Sequence, residues 1–280
     1  MTTHMPRILN HSMSIATMDT SYRPREEAAT EFVSVDLIEP IGHEKLALAI
    51  PTLREAENLP TLLERVRAAL DPTGIDYEVL VVDDDSRDGT EEIVTRIAEQ
   101  DPRVHLLVRK GEQGLSGAIL HGWRYTDASI LGVMDADLQH PPELLPKLLN
   151  SIRRGKDLAI GSRYTEGGEL GEWNLMRRLL SAAAVWVTLP IQRHGLRAHD
   201  PMTGFFLIRR TSVEEIGFQK SGFKLLLEVL VRARLKSVEE VPFAFGLRSR
   251  GASKANSKVA IHYAKLLARL YAIRFGLKKD

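Results

Sequence analysis

Two short acidic runs carry the strongest chemical signal in this chain of 280 residues. Asp83-Asp84-Asp85 follows the apolar run Tyr77–Val82, and Asp135-Ala136-Asp137 follows Ile130–Met134. Carboxylates a few ångströms apart raise one another's pKa unless donors or a cation neutralise them. On extended backbone the spacing of Asp135 and Asp137 points both to one side, and Gln139 continues that face. Such a set suits a hard divalent cation, Mg²⁺ or Mn²⁺, held by few carboxylates and completed by ligand phosphates. The plainer reading of the first run is a solvated turn in which Ser86, Asp88 and Thr90 open a helix. That accounts for Ser86 or Asp88 but not for three consecutive aspartates. A merely structural role for Asp135 and Asp137 stays open as the alternative.

The sequence lacks other signatures of phosphate and metal chemistry. It contains no G-x-x-x-x-G-K-[ST], no G-x-G-x-x-G and no H-E-x-x-H. Asp84-x-Ser86-x-Asp88-Gly89 has a faint likeness to a calcium loop, but Thr95 stands where the closing glutamate belongs. The absence of cysteine excludes a disulfide framework, thiolate zinc sites and cysteine nucleophiles.

The elements that position these aspartates alternate. Leu46–Ile50 reads as a strand ending at Pro51, and Asn58–Leu70 as a helix with Leu59, Leu62, Leu63, Val66 and Leu70 on one face. Strands follow at Tyr77–Val82, Val104–Val108, Ile130–Met134 and Leu158–Ile160, and helices at Thr90–Glu99, Leu115–Tyr125 and Pro142–Ile152. This order means βαβ units, right-handed crossovers and a mainly parallel central sheet flanked by helices, an α/β fold. Ligands of such sheets sit at the carboxyl ends of the strands, which gathers Pro51–Glu55, Asp83–Asp85 and Asp135–Asp137 around one cleft. Beyond residue 162 the spacing predicts a long helix from about Asn174 to Leu189, a strand at Phe205–Ile208 and a helix at Lys224–Leu235.

Composition sets the outer bounds. With 44% hydrophobic and 27% charged residues, the chain can build a sizeable core. Residues 1–44 show neither helical nor strand period and no leader-type apolar stretch, and read as a flexible N-terminal extension. The longest apolar run, Leu179 to Gln192, has 14 residues, short of the ~18 a membrane-spanning helix needs. Residues 241–280 carry a charge of +8 against −7 for the rest, which suggests a polyanionic partner for the tail. From Lys258 a stripe of Lys258, His262, Lys265 and Arg269 opposes an arc of Val259, Tyr263, Leu266, Leu270, Ile273 and Leu277. A helix lying in a membrane interface and a helix packed on the domain both fit that pattern. The domain reading is therefore the extension 1–44, a catalytic domain 45–257 and a basic amphipathic helix 258–280.

The motifs, taken in order, resemble glycosyltransferase family 2. These are Ile50-Pro51-Thr52-Leu53-Arg54-Glu55-Ala56-Glu57-Asn58-Leu59, Val82-Asp83-Asp84-Asp85-Ser86-Arg87-Asp88-Gly89-Thr90, Asp135-Ala136-Asp137-Leu138-Gln139-His140-Pro141-Pro142-Glu143 and Gly161-Ser162-Arg163-Tyr164. More narrowly they are similar to the polyprenol-phosphate (dolichol-phosphate) mannosyltransferases, from about Leu46 to Lys258. The resemblance implies a GT-A fold and metal-dependent inverting transfer from a nucleotide sugar, most often GDP-mannose. It implies that Pro51, Leu53, Glu55, Asp83, Asp85, Asp135 and Ala136 bind the donor and that Asp135, Asp137 and Gln139 hold the metal. The family's usual tyrosine and asparagine in the first motif are Leu53 and Arg54 here.

An acceptor hydroxyl needs a base, whereas a phosphate monoester is already ionised near neutral pH, with a second pKa near ~6. It needs cations instead, and arginine suits bidentate phosphate binding. The resemblance places Arg163, Arg177, Ser181, Arg248 and Lys254 on a polyprenyl-phosphate site, with Asp137, Arg163 and Arg248 as the catalytic set. Ala252 stands where the family usually has glutamate. The implied setting is peripheral, on the cytoplasmic side of a membrane, with the small membrane subunits that some members have. Rival readings are a UDP-glucose-dependent lipid-phosphate glucosyltransferase and a family 2 transferase acting on a hydroxyl, though the Gln-x-x-Arg-Trp motif of polymerising members is absent. A sugar nucleotidyltransferase would show a Gly-rich basic loop after the first strand. A nucleic-acid binder explains the tail but not the aspartates, so no nucleic-acid partner is expected. An inactive membrane-tethered module predicts lost metal ligands, and none is lost.

Overall fold

The structure, a computed structural model, describes residues 43–165, 182–219, 224–244 and 257–277. Seven strands form one sheet: β1 (Lys45–Thr52), β2 (Asp76–Asp83), β3 (Val104–Val108), β4 (Ile130–Val133), β5 (Leu158–Ser162), β6 (Phe206–Arg209) and β7 (Val238–Pro242). Their spatial order is β3-β2-β1-β4-β6-β5-β7. All neighbours are parallel except β6, which runs antiparallel to both β4 and β5.

The first half follows from alternation. Side chains of a strand point to opposite faces in turn, and β1 sends Leu46, Leu48 and Ile50 one way and Ala47 and Ala49 the other. The larger set meets helices α1 (Leu59–Leu70) and α4 (Leu145–Arg153), with Val94 of α2 (Thr90–Gln100) in the same cluster. The smaller set packs under α3 (Leu115–Tyr125), in a cluster that holds Ala118, Ile119 and Trp123 and extends to Leu225, Val229 and Leu230 of α5 (Leu225–Arg232). A strand buried on both faces needs an apolar residue at almost every position, which is why β1 and β2 were readable as runs.

Three features depart from the sequence reading. Pro51 does not stop β1, which continues to Thr52. The β1–β4 pairing ends at Ala49–Val133, so a residue without an N–H at 51 forfeits nothing on that side. The edge strand β7 carries Glu239 and Glu240 and ends in Pro242, a composition that hides a strand and also guards an exposed edge. The helix expected from Pro142 begins as a 3₁₀ turn, Pro142–Leu144, before α4. The extension 1–44 lies outside the described residues except for 43 and 44, and Glu44 is already fixed by Arg153, whose Nε donates to it at 3.3 Å. Of the long helix expected at 174–189, residues 182–189 are described: 182–186 are helical, whereas 187–189 form turns, so the helix ends short of Leu189.

The C-terminal helix α6 (Ser257–Arg274) settles onto the domain. Leu266 and Leu270 are buried against Ile191, Leu227 and Val231. The Tyr263 and Tyr271 hydroxyls donate to the carbonyls of Ala184 and Val187, and Arg269 pairs with the buried Glu228 of α5. Ile261, Phe275 and Leu277 stay exposed, as does Trp186 on the segment that α6 holds. Among the described residues no helix is long and apolar enough to cross a membrane. Leu270→Ala is expected to cost about 2–5 kcal/mol of stability through lost burial and a residual cavity. Urea unfolding of the two chains measures it, and a change below 0.5 kcal/mol, as for an exposed site, would mean that α6 does not pack this way.

Candidate active site

The loops after β1, β2 and β4 meet where the strand order reverses between β1 and β4, the place an open α/β sheet offers to a ligand. Two adjoining cavities lie there. One, of about 800 Å³, is lined by Leu53, Arg54, Asp84–Asp88 and Gly111–Gln113. The other, of about 310 Å³, is lined by Pro51–Leu53, Glu55, Asp84, the start of α3, Asp135, Ala136 and Asp137. They share Leu53 and Asp84. Among the described residues, the non-glycine ones with left-handed backbone, Arg54, Asp85, Arg87 and Leu138, all fall in these loops. Conformations of that kind cost free energy and collect at functional sites.

The three aspartates avoid mutual repulsion by taking separate partners. Asp83 is buried and accepts the Ser86 backbone N–H at 2.9 Å and the Ser86 hydroxyl. Asp84 is buried and accepts Arg109 Nε at 2.7 Å and the Gly114 N–H at 2.9 Å. Arg109 also donates to the Gly114 carbonyl at 3.1 Å, so the Asp84–Arg109 pair braces the loop 110–114 that walls the larger cavity. Asp85 pairs with Arg87, whose hydrogen bond holds its carboxyl below the usual range. Asp85 therefore lines the cleft as expected, while Asp83 turns into its own loop and lies outside the lining. Asp84, placed at the cleft by the sequence within Asp83–Asp85 but given no binding role there, lines both cavities; its partner Arg109 is 25 residues away, which local pattern cannot reveal.

The β1 loop is laced to the β2 loop. Arg54 N–H donates to Ser86 Oγ at 2.8 Å and Ala56 N–H to Asp88 at 3.2 Å, while Glu55 accepts from Asn58 Nδ2 at 2.7 Å. These bonds hold Pro51, Leu53 and Glu55 on the cavity wall.

Asp135, Ala136 and Asp137 follow β4 in a loop rather than on extended strand, since β4 ends at Val133. Asp135 and Asp137 both reach the smaller cavity, but the alternation fails at Leu138, where φ is 61°. Gln139 consequently lies outside the lining, with its N–H on Asp137 Oδ1 at 3.2 Å. Among the described residues no three acidic, His or Cys side chains converge on a metal-sized point. Asp135 and Asp137 on the cavity wall nevertheless offer carboxylate oxygens of the kind a hard cation takes, with substrate phosphates and water to complete its shell. Asp135 has space because residue 204 is glycine: a Cβ there would stand 2.5 Å from both carboxylate oxygens.

A second layer lies behind Asp135. The His140 ring is buried, stacks on Phe205 at 5.3 Å and accepts the Asp135 N–H on Nδ1 at 3.4 Å. Burial pushes its imidazolium down to about 4, so a neutral ring with an acceptor Nδ1 is the form expected at pH 7. Lys224, just before α5, donates to the Met202 carbonyl at 3.0 Å; desolvation lowers its pKa against the pull of Asp135 and Asp200. Arg163 follows β5 and pairs with Asp200 at 2.7 and 2.8 Å, and Asp135 contributes to its electrostatic environment. His140, Asp200, Gly204 and Lys224 were not foreseen as site residues. The one signal in the sequence was the glycine beside a strand, which often marks close backbone approach. Arg177, Ser181, Arg248 and Lys254 lie outside the described residues.

The paired carboxylates thus stand at the switch point of an open α/β sheet, where folds of this class bind their ligands. The comparisons make this specific. The family model "Glycosyl transferase family 2" matches residues 47–217, and the chain belongs to that family. It is 42% identical over 229 residues to a dolichol-phosphate mannosyltransferase of Pyrococcus furiosus, covering 81% of this chain and 63% of that protein. The chain thus spans less than two thirds of that relative. A dolichol-phosphate mannosyltransferase of Mycosarcoma maydis is 36% identical, covering 94% of this chain and 90% of the other. Among solved structures, glucosyl-3-phosphoglycerate synthase from Mycobacterium tuberculosis, in complex with Mn²⁺, UDP-glucose and glycerol 3-phosphate, superimposes with a TM-score of 0.59. That match has 18% identity and covers 85% of this chain and 82% of that one, so it bears on the fold.

Proposed function

We propose that this chain transfers mannose from GDP-mannose, with inversion, to the phosphate of a polyprenyl or dolichyl monophosphate. The observation that carries the reading is the placement of Asp135 and Asp137 on a cavity that adjoins a nucleotide-sized cleft, in a chain with 36–42% identity to dolichol-phosphate mannosyltransferases. The nucleoside occupies the larger cleft between Leu53, Asp85 and the loop 111–113. The diphosphate lies in the smaller cavity, near the amino end of α3, where backbone N–H groups favour anions. Asp135 and Asp137, with Gln139 once its side chain turns inward, hold Mg²⁺ or Mn²⁺ there. When bound, the cation neutralises charge that builds on the departing diphosphate.

On the acceptor side no base is required. An ionised phosphate oxygen attacks the anomeric carbon from the face opposite the diphosphate. The new C–O bond forms as the bond to the nucleoside diphosphate breaks, and the two electrons leave with the diphosphate. Arg163, with Arg177, Ser181, Arg248 and Lys254, meets the acceptor phosphate and offsets its repulsion from the donor. The Asp200 carboxylate takes the Nε–Nη2 edge of Arg163 and so fixes the plane of its guanidinium.

The polyprenyl chain places the reaction at a membrane surface, which we assign to the cytoplasmic face. Ile261, Phe275 and Leu277, with Trp186, form the apolar part of the contact, beside the exposed Lys265 and Arg274. The full chain should co-sediment with anionic vesicles and Phe275→Glu should do so more weakly; equal pelleting would remove this surface from the contact.

A donor screen tests the sugar and base. With Mn²⁺ and polyprenyl phosphate, radiolabel should reach the organic phase from GDP-mannose and far less from UDP-glucose. The reverse preference would make the chain a glucosyltransferase on the same fold.

A further inference from the structure

Arg163 is not a surface cation: its side chain is 13% exposed and that of its partner Asp200 is fully buried. Asp200 accepts three N–H groups from this one residue. The backbone N–H of Arg163 reaches Oδ2 at 3.2 Å, Nε reaches the same oxygen at 2.7 Å, and Nη2 reaches Oδ1 at 2.8 Å. This is the two-pronged geometry in which a carboxylate fixes the plane of a guanidinium as well as its position.

Asp200 is itself held from behind, although it lies in an irregular loop. Its backbone N–H donates to Glu240 Oε1 at 3.0 Å, and that of His199 donates to Glu240 Oε2 at 2.8 Å. His199 Nδ1 lies 2.6 Å from that same oxygen. Glu240 belongs to β7, where it pairs in register with Ile160 of β5. The support therefore runs from the sheet through Glu240 to the loop, and from Asp200 to a guanidinium set at the end of β5.

We infer that Asp200 is a positioning residue for the acceptor phosphate: it aims Arg163, and Glu240 aims Asp200. This rests on the reading that Arg163 meets that phosphate. An arginine side chain has many rotamers to lose, and an acceptor brought close to a second anion gains most from a cation that does not have to be ordered on binding. Asp200 supplies that order without touching substrate.

Steady-state kinetics on four variants test it, with thermal unfolding as a check on the fold. Asp200→Asn keeps the shape but not the charged fork, and should raise the acceptor KM roughly tenfold or more with donor affinity within twofold of wild type. Glu240→Gln should move it in the same direction by less. Arg163→Ala should also raise the acceptor KM, and the Arg163→Ala, Asp200→Asn double variant should match Arg163→Ala, because a residue that acts through another adds nothing once the other is gone. Additive effects in the double variant, or an unchanged acceptor KM in Asp200→Asn beside a raised one in Arg163→Ala, would overturn the inference alone. An unchanged acceptor KM in Arg163→Ala would overturn the reading beneath it. Should Asp200→Asn fail to fold, Glu240→Gln decides, and a wild-type acceptor KM there would refute the relay.

Discussion

Asp137→Ala is expected to lower turnover by about 10²–10³-fold, the scale on which a single group stabilising transition-state charge is felt. The change should leave thermal unfolding within a few degrees of wild type. Asp137 lies in a loop at a cavity edge, outside the two clusters that bury β1, so its removal takes no core contact away. The sign of any stability change is informative. Asp137 shares the smaller cavity with Asp135 and Asp84, and removing one of several like charges relieves repulsion in the cation-free protein. Excess EDTA should silence the wild type to a similar degree, and Mn²⁺ should restore it. Full activity in either experiment would leave the β4 carboxylates without a role in transfer.

Gly204→Ala is expected to reach a comparable loss from the opposite direction, by adding an atom. The new Cβ would lie 2.5 Å from both oxygens of Asp135, a separation that real contacts do not show. Asp135 has a short side chain with little room to retreat, because His140 lies behind it, with Nδ1 3.7 Å from Oδ2. The carboxylate must therefore rotate away from the place it holds on the smaller cavity. A displacement of about 1 Å at a reacting centre can cost ~10²-fold in rate. Turnover should fall by that order while circular dichroism stays native, and the concentration of Mn²⁺ needed for half-maximal rate should rise. Wild-type kinetics would show that the Asp135 orientation seen here is not the working one.

The two predictions differ in how far the sequence foresaw them. Asp137 was visible because its neighbours in space, the ends of β1 and β4, are joined by alternating apolar runs that announce a parallel sheet. Pro51, Leu53, Glu55, Asp85 and Asp135 came to the cleft for the same reason. Gly204 was hidden because its significance is a distance to a residue 69 positions earlier. The strand it precedes, β6, returns antiparallel after a long excursion, and no βαβ rule foretells where it inserts. Asp200 was hidden in the same way, defined by an arginine remote in sequence, and so was the Arg109 partner that fixes Asp84. Asp83 and Gln139 show the converse. Their spacing suggested the cleft, but a Ser86 hydrogen bond turns one inward and a left-handed Leu138 turns the other aside. Charge and period reveal which strand ends carry chemistry, whereas local dihedrals decide which side chain arrives.

The proposed transfer depends on phosphate as the acceptor group. The most direct measurement offers the full chain radiolabelled GDP-mannose and Mn²⁺ with either a polyprenyl phosphate or the corresponding polyprenol, and counts label in the organic extract. Label recovered with the phosphate and absent with the alcohol is the predicted result. Label transferred to the alcohol, or hydrolysed to free sugar at the same rate with and without the lipid phosphate, would contradict it.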